Sequence, residues 1–197
     1  MIVLATNNKH KVAEISDCLQ GVSCQAIDPD WRIEESGDTL ISNALAKAVS
    51  GRNFCAGRQA VLAEDTGLFV PALGGRPGVY SARFAGPGVS FDQNIAKLLK
   101  EMAGKPNGER RAIFRTVAVL AAPEGNFWIS CGELAGEILL NPRGQEGFGY
   151  DPIFYLPSLD KTLSELSLKE KNTLSHRAKA LRALSPYIEE LARLTLR

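Results

Sequence analysis

The order of apolar and amphipathic segments is the feature that most limits the fold of this chain. The segments "MIVLAT", "VSCQAI" and "QAVLAED" are predicted strands, and they alternate with the predicted helices "KHKVAEISDCLQ" and "TLISNALAKAVSGRNF". Farther along, "RRAIFRTVAVLAAPEGNFWISCGELAGEILL" is typical of two or three strands with a hairpin turn at "PEGN". Alternation early in the chain and clustered strands later predict a mixed α/β sheet rather than a purely parallel one.

Two further segments have a helical pattern. "SFDQNIAKLLKEM" is amphipathic, and "TLSHRAKALRALSPYIEELARLTL" has apolar residues at helical spacing, with Pro186 expected to kink or break the helix. In the second predicted helix of the chain, Asp38 is expected as the N-cap. The apolar stripe of that helix is expected on the side opposite Asn43 and Lys47.

Composition and charge place the chain among ordinary globular proteins. Of the 197 residues, 45% are hydrophobic and 23% are charged, and this length allows a substantial core. The formal net charge of +1 gives no general attraction to nucleic acid or to an anionic membrane. There is no repeat and no clear linker, so we expect one domain over residues 1–197.

Cysteine usage and the lack of long apolar runs indicate the compartment. The chain has four cysteines, Cys18, Cys24, Cys55 and Cys131. They form no C-x-x-C pair and lie near no histidine, which disfavours a zinc site and gives no disulfide framework. No run approaches the roughly 20 apolar residues of a membrane span, and "MIVLAT" is too short for a signal-peptide core. We expect a cytoplasmic protein without a membrane segment.

The segment "TNNKHK" lies at a predicted junction of strand and helix. Backbone N–H groups at a helix N-terminus bind phosphate well, and Lys9 and Lys11 add positive charge. Thr6 and Asn8 add directional hydrogen bonds. The P-loop pattern G-x-x-x-x-G-K-[ST] is absent. On this segment alone, a phosphate site and a solvated helix start are equally favoured.

Two pairs of acidic residues indicate a cation site. Glu64 and Asp65 follow an apolar strand, and Thr66 with the next glycine predicts a turn. Glu34 and Glu35 in "IEESG" have the same form. Neighbouring carboxylates repel unless a cation or solvent separates them, and carboxylates suit Mg²⁺ bound to phosphates. The alternative is that one of the two acidic pairs is only surface charge.

Two later segments offer contacts for a ligand. "SHR" places His176 and Arg177 near the start of the last predicted helix, with Lys171 shortly before, so the segment has several donors for an oxygen-bearing ligand. A lone histidine is more often structural. "GFGYDPIFYLP" combines the glycines of a turn with the aromatic residues of a core strand, and it places Phe148 and Asp151 on a glycine hinge.

Taken in chain order, the motifs resemble the inosine triphosphate pyrophosphatase family. The motifs are "TNNKHK", "EESGDTLISNALAKA", "LAEDTGLFV", "GGRPGVYSARF", "GFGYDPIFY" and "LSHRAKAL", and the resemblance runs from Thr6 to about Leu181. It implies an elongated mixed β-sheet flanked by helices, with two lobes and a central nucleotide-binding cleft. It also implies a Mg²⁺-dependent homodimer that cleaves ITP, dITP and XTP to the monophosphate and pyrophosphate.

The resemblance also implies roles for individual residues. Asp65 would be the general base, and Glu35 and Asp65 would bind Mg²⁺. Glu64 would be an auxiliary acid at a position where many members have aspartate. The substrate contacts would be Thr6, Asn7, Asn8, Lys9, His10, Lys11, Lys47, Thr66, Phe148, Gly149, Tyr150, Asp151, Lys171, His176 and Arg177. The "TNNKHK" residues and Lys47 would bind the phosphates, and the residues from Phe148 onward the base and sugar.

Base recognition would be shared between two segments. Phe148 would stack on the purine, which tolerates any base. His176 or Arg177 would donate to the 6-oxo group of hypoxanthine or xanthine, whereas the amino group of adenine would leave these donors unpaired.

Three other functions compete with this prediction. A nucleotide-binding sensor would not need paired carboxylates. A pyrophosphatase for a pyrimidine or a modified triphosphate would share the same phosphate chemistry. A nucleic-acid-binding protein is disfavoured by the near-neutral charge and by the lack of a basic, aromatic stripe.

Overall fold

A computed structural model describes residues 1–194 of the chain, and it has a mixed sheet with helices. The strands are β1 (Ile2–Leu4), β2 (Cys24–Ala26), β3 (Ala60–Phe69), β4 (Pro77–Gly78), β5 (Arg111–Ala121), β6 (Phe127–Ile138), β7 (Phe154–Leu156) and β8 (Lys161–Thr162). The α-helices are α1 (Lys9–Cys18), α2 (Leu40–Phe54), α3 (Phe91–Glu101), α4 (Leu168–Leu174) and α5 (His176–Leu194). No helix within residues 1–194 is both long enough and apolar enough to span a membrane.

The strands form an eight-stranded sheet in the order β2-β1-β3-β5-β6-β7-β8, with β4 paired to β3. β1 runs parallel to both β2 and β3. The pairs β3–β4, β6–β7 and β7–β8 are antiparallel. The predicted mixed α/β sheet is therefore confirmed, and β5 and β6 are the two long strands on either side of the predicted turn.

The chain divides into two compact units, each with its own hydrophobic core. The first unit comprises residues 1–65, 116–132 and the segment from Ser175 onward, and the second comprises 66–115 and 133–174. The first core contains Ile15, Leu62 and Leu184. The second contains aromatic and aliphatic side chains such as Phe154. The chain passes from the first unit to the second between residues 65 and 66, within β3.

The predicted turn after Asp65 is wrong. β3 is a ten-residue strand that continues through Thr66 and Gly67, so the two acids lie inside the strand and not at its end. A Cβ on Gly67 would lie 2.5 Å from the backbone oxygen of Gly78. The glycine is therefore explained by the close approach of β4 to β3 rather than by a turn.

The predicted orientation of α2 is also wrong. Asn43 and Lys47 are buried together with the apolar stripe, whereas Ile41, Leu45 and Val49 are exposed. At 100° per residue, positions 40, 44 and 48 lie on the same side of a helix as positions 43 and 47. Because α2 is apolar on both faces, its composition does not reveal which face is buried.

The N-cap of α2 is Thr39 and not Asp38. The Thr39 hydroxyl accepts a hydrogen bond from the backbone N–H of Ser42 at 3.1 Å, and the Ser42 hydroxyl accepts one from the backbone N–H of Thr39 at 3.2 Å. This reciprocal arrangement is a capping box. The cap side chain has to reach the third helical residue, and Thr39 is in that position because the helix begins at Leu40.

The last helical region is interrupted at Ser175 and not at Pro186. α4 ends at Leu174, and the Ser175 hydroxyl accepts a hydrogen bond from the backbone N–H of Ala178 at 3.2 Å, at the start of α5. α5 continues through Pro186. Its buried residues on both sides of the proline, among them Leu184 and Ile188, hold the helix against the first core. The prediction for residues 195–196 lies outside the described residues.

Candidate active site

Asp65 has a different donor at each carboxylate oxygen. The side chain lies in β3 and is 5% exposed. Lys47 Nζ is 2.9 Å from Oδ1, and Asn43 Nδ2 is 3.2 Å from Oδ2. Both donors come from α2 and are one helical turn apart, so a single helix face determines the position of the carboxylate.

Lys47 joins Asp65 to the second predicted metal ligand. Its Nζ lies 3.1 Å from Glu35 Oε1 as well as 2.9 Å from Asp65 Oδ1. Of the acidic pair at 34–35, Glu35 is half-buried and Glu34 is exposed. The structure therefore brings together Glu35, Lys47 and Asp65, and it separates Glu34 from this group.

Burial and charge act against each other at this site. Burial raises the pKa of Asp65 above its usual range, and the ammonium of Lys47 opposes this shift. Burial acts to lower the pKa of Lys47, but the Asp65 and Glu35 carboxylates outweigh it, so the pKa is raised. Lys47 is consequently charged at neutral pH and supplies positive charge close to both carboxylates.

The donor set at this site fits Mg²⁺. Two carboxylates, Glu35 and Asp65, contact one cationic group, and Mg²⁺ is usually bound by one or two carboxylates with waters and substrate phosphates. Within residues 1–194, no group of three or more His, Cys, Asp or Glu side chains is arranged to hold a metal ion. A metal at Glu35 and Asp65 would therefore depend on oxygen atoms from water or substrate to complete its coordination.

Asn43 was not among the predicted site residues. It is 2% exposed, and its Oδ1 accepts a hydrogen bond from the backbone N–H of Gly37 at 2.8 Å. The sequence contained one signal for it, since Asn43 and Lys47 are four residues apart on a helix of small residues. The assignment of the wrong face to the interior concealed that signal.

A second buried charge cluster contains Glu64. The Arg177 guanidinium donates to Glu14 through Nη1 and approaches Glu64 Oε1 at 3.3 Å through Nη2. Lys11 Nζ lies 2.7 Å from the same Glu64 oxygen. Burial acts to lower the pKa of Arg177, but Glu64 and Glu14 outweigh it and raise it. Sequence reasoning missed Glu14, which is 163 residues from its partner.

These contacts bear on two predicted substrate contacts. Arg177 is 1% exposed and contacts carboxylates of its own unit. Its predicted contact with the purine and the predicted contact of Lys11 with phosphate stay predictions. Glu64 binds both cations, so the carboxylate sets the position of their charged groups.

The loop before α1 already provides acceptors for several of its own N–H groups. Asn8 is the N-cap, and its Oδ1 accepts from the backbone N–H of His10 at 3.0 Å and of Lys11 at 3.4 Å. The Thr6 hydroxyl accepts from the Asn8 N–H at 3.2 Å. Asn7 donates to the backbone oxygen of residue 31 at 3.4 Å, and Lys9 is exposed. A phosphate here would have to displace the Asn8 side chain from these N–H groups.

His176 is the first residue of α5 and is buried. Its position depends on Gly132 in β6, because a Cβ on that glycine would clash with the His176 backbone oxygen and lie 2.6 Å from the Ala180 nitrogen. Ser130 donates to the backbone oxygen of Ala180 at 2.8 Å. The start of α5 is thus fixed by close packing against a glycine strand. The predicted contact of His176 with the base stays a prediction.

The second unit brings together Phe148, Asp151 and Lys171. Asp151 Oδ2 accepts from the Phe148 backbone N–H at 2.9 Å and lies 2.5 Å from Lys171 Nζ. Lys171 Nζ is 5.2 Å from the centroid of the Phe148 ring. The Phe91 ring, absent from the predicted set, has its centroid 5.9 Å from that of Phe148. Asp151 therefore anchors the aromatic segment.

The glycines of this segment have the conformation that a tight turn requires. Gly147 and Gly149 have φ values of 76° and 64°, in the left-handed region that favours glycine. Tyr150 is buried, and its hydroxyl donates to the Ser81 backbone oxygen at 2.9 Å. Tyr150 is thus a structural anchor of the turn.

Thr66 lies in the second unit's part of β3, and its predicted role stays a prediction.

The comparison with known protein families identifies the chain. The model described as the Ham1 family matches residues 2–187. The chain belongs to the Ham1 family. This membership confirms the resemblance that the motifs indicated.

Curated relatives and solved structures agree with this membership. A protein of Thermoanaerobacter sp. (strain X514) named dITP/XTP pyrophosphatase is 46% identical to this Ham1-family chain, over 95% of this chain and 96% of the relative. The structure of the Staphylococcus aureus Ham1 protein matches with a TM-score of 0.83 and 38% identity, over 96% of this chain and 98% of that one. A dITP/XTP pyrophosphatase from Mycobacterium abscessus matches with a TM-score of 0.72 and 37% identity, over 95% and 98%.

Proposed function

We propose that this chain is a hydrolase that cleaves the non-standard purine nucleoside triphosphates ITP, dITP and XTP to the monophosphate and pyrophosphate. The observation that carries the proposal is the buried carboxylate of Asp65, held by Asn43 and Lys47 and adjoining Glu35. Relatives named dITP/XTP pyrophosphatases, 46% and 44% identical to the chain, support the substrate class. A sensor or a pyrimidine-specific enzyme is not favoured by these relatives.

Asp65 is the proposed general base. Each carboxylate oxygen has two acceptor sites, so the donors from Asn43 and Lys47 leave room for a water molecule. Asp65 accepts a proton from that water while the water oxygen attacks the α-phosphorus. The bond from the α-phosphorus to the bridging oxygen breaks, and pyrophosphate leaves with the bonding electron pair.

The leaving group needs positive charge. Lys47, charged and buried, and Lys11, on the neighbouring cluster of the first unit, are the proposed donors to the phosphates. When bound, Mg²⁺ would be held by Glu35 and Asp65 and would neutralise phosphate charge. The loop residues Thr6 to Lys11 are the proposed triphosphate contacts.

The segment around Phe148 is the proposed base contact. Its ring lies near the ammonium of Lys171, and both are anchored by Asp151. A purine stacked on Phe148 would gain affinity without discrimination between bases. Discrimination is assigned to donors of His176 and Arg177 toward the 6-oxo group, as the family resemblance implies.

We also propose that the chain forms a homodimer through the outer face of α2. The exposed side chains there include Ile41 (47% exposed), Leu45 (37%) and Val49 (40%). The exposed residues between them, Ser42 and Ala46, are uncharged. An identical apolar face can pack against it about a two-fold axis without bringing like charges together. Sedimentation equilibrium should give twice the chain mass, and a monomer mass at micromolar concentration would overturn this assignment.

We place the enzyme in the cytoplasm, where the nucleotide pool is.

A panel of substrates tests the proposed reaction. The protein is incubated with Mg²⁺ and ITP, dITP, XTP, GTP, ATP or dUTP, and pyrophosphate and orthophosphate are measured separately. We expect pyrophosphate from ITP, dITP and XTP. Binding without product would favour a sensor, orthophosphate alone would indicate attack at the γ-phosphorus, and preference for dUTP would indicate a different substrate class.

Asp65→Asn should reduce kcat by at least about 1,000-fold, because it removes both the base and one metal charge. The variant should still fold, since an amide fills the same volume and Glu35 stays paired with Lys47, but its melting temperature should fall because the buried ion pair with Lys47 is lost. Asp92→Asn is the control for loss of one negative charge, because Asp92 is exposed in the first turn of α3. An active Asp65→Asn variant would contradict the assignment of the base.

A further inference from the structure

We infer that Asn43 is the positioning residue of the catalytic carboxylate, an inference that rests on the proposed role of Asp65. The Asn43 amide bridges two groups. Its Oδ1 accepts from the Gly37 backbone N–H at 2.8 Å, and its Nδ2 donates to Asp65 Oδ2 at 3.2 Å. With 2% of its surface exposed, the amide cannot exchange these partners for bulk water.

The orientation of the Asn43 amide is determined by its neighbours. A backbone N–H can only donate, so the amide atom that faces Gly37 has to be the oxygen. The NH₂ group is then directed to Asp65, which as a carboxylate accepts the hydrogen bond. The amide therefore has one stable orientation, and that orientation presents a donor to Oδ2.

Asn43 and Lys47 have different roles at Asp65. The ammonium of Lys47 is a compact charge with three rotatable donors, and it is shared with Glu35. It attracts the carboxylate but does not determine the rotation of the carboxylate plane. The planar amide of Asn43, fixed at its other end, restricts Oδ2 to one direction. Asn43 consequently sets the direction of the remaining acceptor sites of Asp65, toward which a water molecule must be placed.

The backbone of Asn43 is fixed as well. Its N–H donates to the Thr39 carbonyl oxygen at 3.2 Å, within the capped first turn of α2. The helix and its cap therefore fix the backbone of Asn43, and the Gly37 N–H fixes the oxygen of its side-chain amide. The amide group thus has the support that a positioning residue requires.

Asn43→Asp separates the two halves of this bridge. The carboxylate of the variant keeps an acceptor for the Gly37 N–H but replaces the donor to Asp65 with an oxygen that repels it. We expect kcat to fall roughly 10- to 100-fold, the loss expected when a hydrogen bond to a charged group is removed. KM for the nucleotide should change by less than about threefold, because the phosphate and base contacts are intact.

Asn94→Asp is the matched control. Asn94 is also 2% exposed, accepts from the Ala85 backbone N–H at 2.8 Å and donates to the Ala82 backbone oxygen at 3.1 Å. The same substitution therefore keeps the acceptor for the Ala85 N–H and removes the donor to Ala82. The group that loses its donor is a backbone carbonyl and not the catalytic carboxylate. We expect a lower melting temperature with kcat within about twofold of the wild type. Equal loss of kcat in the two variants would overturn the inference.

Asn43→Ser covers the case in which Asn43→Asp does not fold. It removes both bonds without adding a charge, and kcat should fall about 10-fold. A crystal structure of this variant should show the Asp65 carboxylate rotated from its wild-type plane, which is a readout independent of turnover. An unchanged carboxylate plane or a wild-type kcat would overturn the inference.

The failure of this inference and of the proposed function have different signatures. If the wild type releases no pyrophosphate from any triphosphate, the proposed function fails. If the wild type is active, Asp65→Asn is inactive and the Asn43 variants keep wild-type kcat, only the positioning role of Asn43 fails.

Discussion

The first turns of α2 and α3 have the same local design. Each helix is preceded by a hydroxyl residue, Thr39 or Ser90, which is the N-cap and forms a capping box with the third helical residue. Each then has a buried asparagine, Asn43 or Asn94, whose Oδ1 accepts a backbone N–H from the preceding loop at 2.8 Å. In both helices a lysine follows within one turn.

The two designs differ in what their remaining donors contact. In α2, Asn43 and Lys47 donate to the carboxylate of Asp65. In α3, Asn94 and Lys97 donate to backbone oxygens, those of residues 82 and 84, at 3.1 and 2.7 Å. The same arrangement thus stabilises a loop in one case and directs donors to a titratable group in the other. The local sequence specifies that the asparagine amide connects the preceding loop to a second group. The identity of that second group determines whether the amide has a role in function.

Lys47→Met compared with Lys97→Met should give the largest difference between the two helices. Lys47→Met leaves Asp65 and Glu35 without their shared cation, and loss of one partner from a buried ion pair costs about 3 kcal/mol or more. Turnover should fall at least about 100-fold because the same cation is the proposed donor to the phosphates. Melting curves and kcat measurements test both effects.

Lys97 is the control because its side chain is 40% exposed and contacts a carbonyl group and the Phe84 ring. Its replacement by Met should lower the free energy of unfolding by under about 1 kcal/mol and leave kcat unchanged. Mg²⁺ should restore part of the stability lost in Lys47→Met, since a divalent cation can compensate the two carboxylates, but it should have no such effect in Lys97→Met. Wild-type turnover in Lys47→Met would contradict the proposed role.

Gly37→Ala should give an intermediate effect. A Cβ on Gly37 would lie 2.5 Å from Asn43 Oδ1 and still closer to the Ser42 hydroxyl. Ser42 is exposed and can rotate away, whereas Asn43 is buried and its amide has to shift from its position on Asp65. We expect kcat to fall about 10-fold, because the donor to the carboxylate is displaced.

The corresponding loop residue before α3 is Ala85, which already has a Cβ. Ala85→Gly is therefore the reciprocal control, and it should leave kcat unchanged with a loss of about 1 kcal/mol or less in stability. If Gly37→Ala has wild-type kcat, the bridge from the loop to Asp65 is not needed for turnover.

The fold and the family could be predicted from the sequence because they depend on patterns repeated along the chain. Alternating apolar runs predicted the mixed sheet, and six motifs in order predicted the Ham1-family relationship. Glu35 and Asp65 could be named as partners only through the family resemblance, because the acidic pairs alone do not indicate which member of each pair belongs to the site. The structure places both on Lys47.

Contacts between distant residues could not be predicted. Nothing in the sequence pairs Arg177 with Glu14, which are separated by 163 residues, or Asn43 with Asp65. The buried face of α2 was assigned wrongly because apolar side chains such as Leu45 lie on its exposed face. In such a helix, the polar residues that become buried are determined by their tertiary contacts, and the periodicity of the sequence does not reveal them.

The smallest difference is expected from the caps. Thr39→Ala and Ser90→Ala each remove one side-chain acceptor for a backbone N–H, and each should lower the free energy of unfolding by about 1 kcal/mol. Thr39→Ala should also lower kcat by about two- to threefold, because the cap supports the turn that presents Asn43 to Asp65. Ser90→Ala should leave kcat unchanged. Urea unfolding and steady-state kinetics measure the two quantities on the same samples.

Comparison of the stability loss with the loss of kcat in the two cap variants shows whether the α2 cap contributes to the position of Asp65. Equal stability losses with a kcat effect confined to Thr39→Ala would show that the function of the α2 cap is transmitted through Asn43. If neither variant changes kcat, the Gly37 N–H and the helix body suffice to hold the amide, and the cap has the same purely structural role in both helices. In the double variant Thr39→Ala/Asn43→Ser the kcat effect of the cap should disappear, because the amide through which it acts is absent.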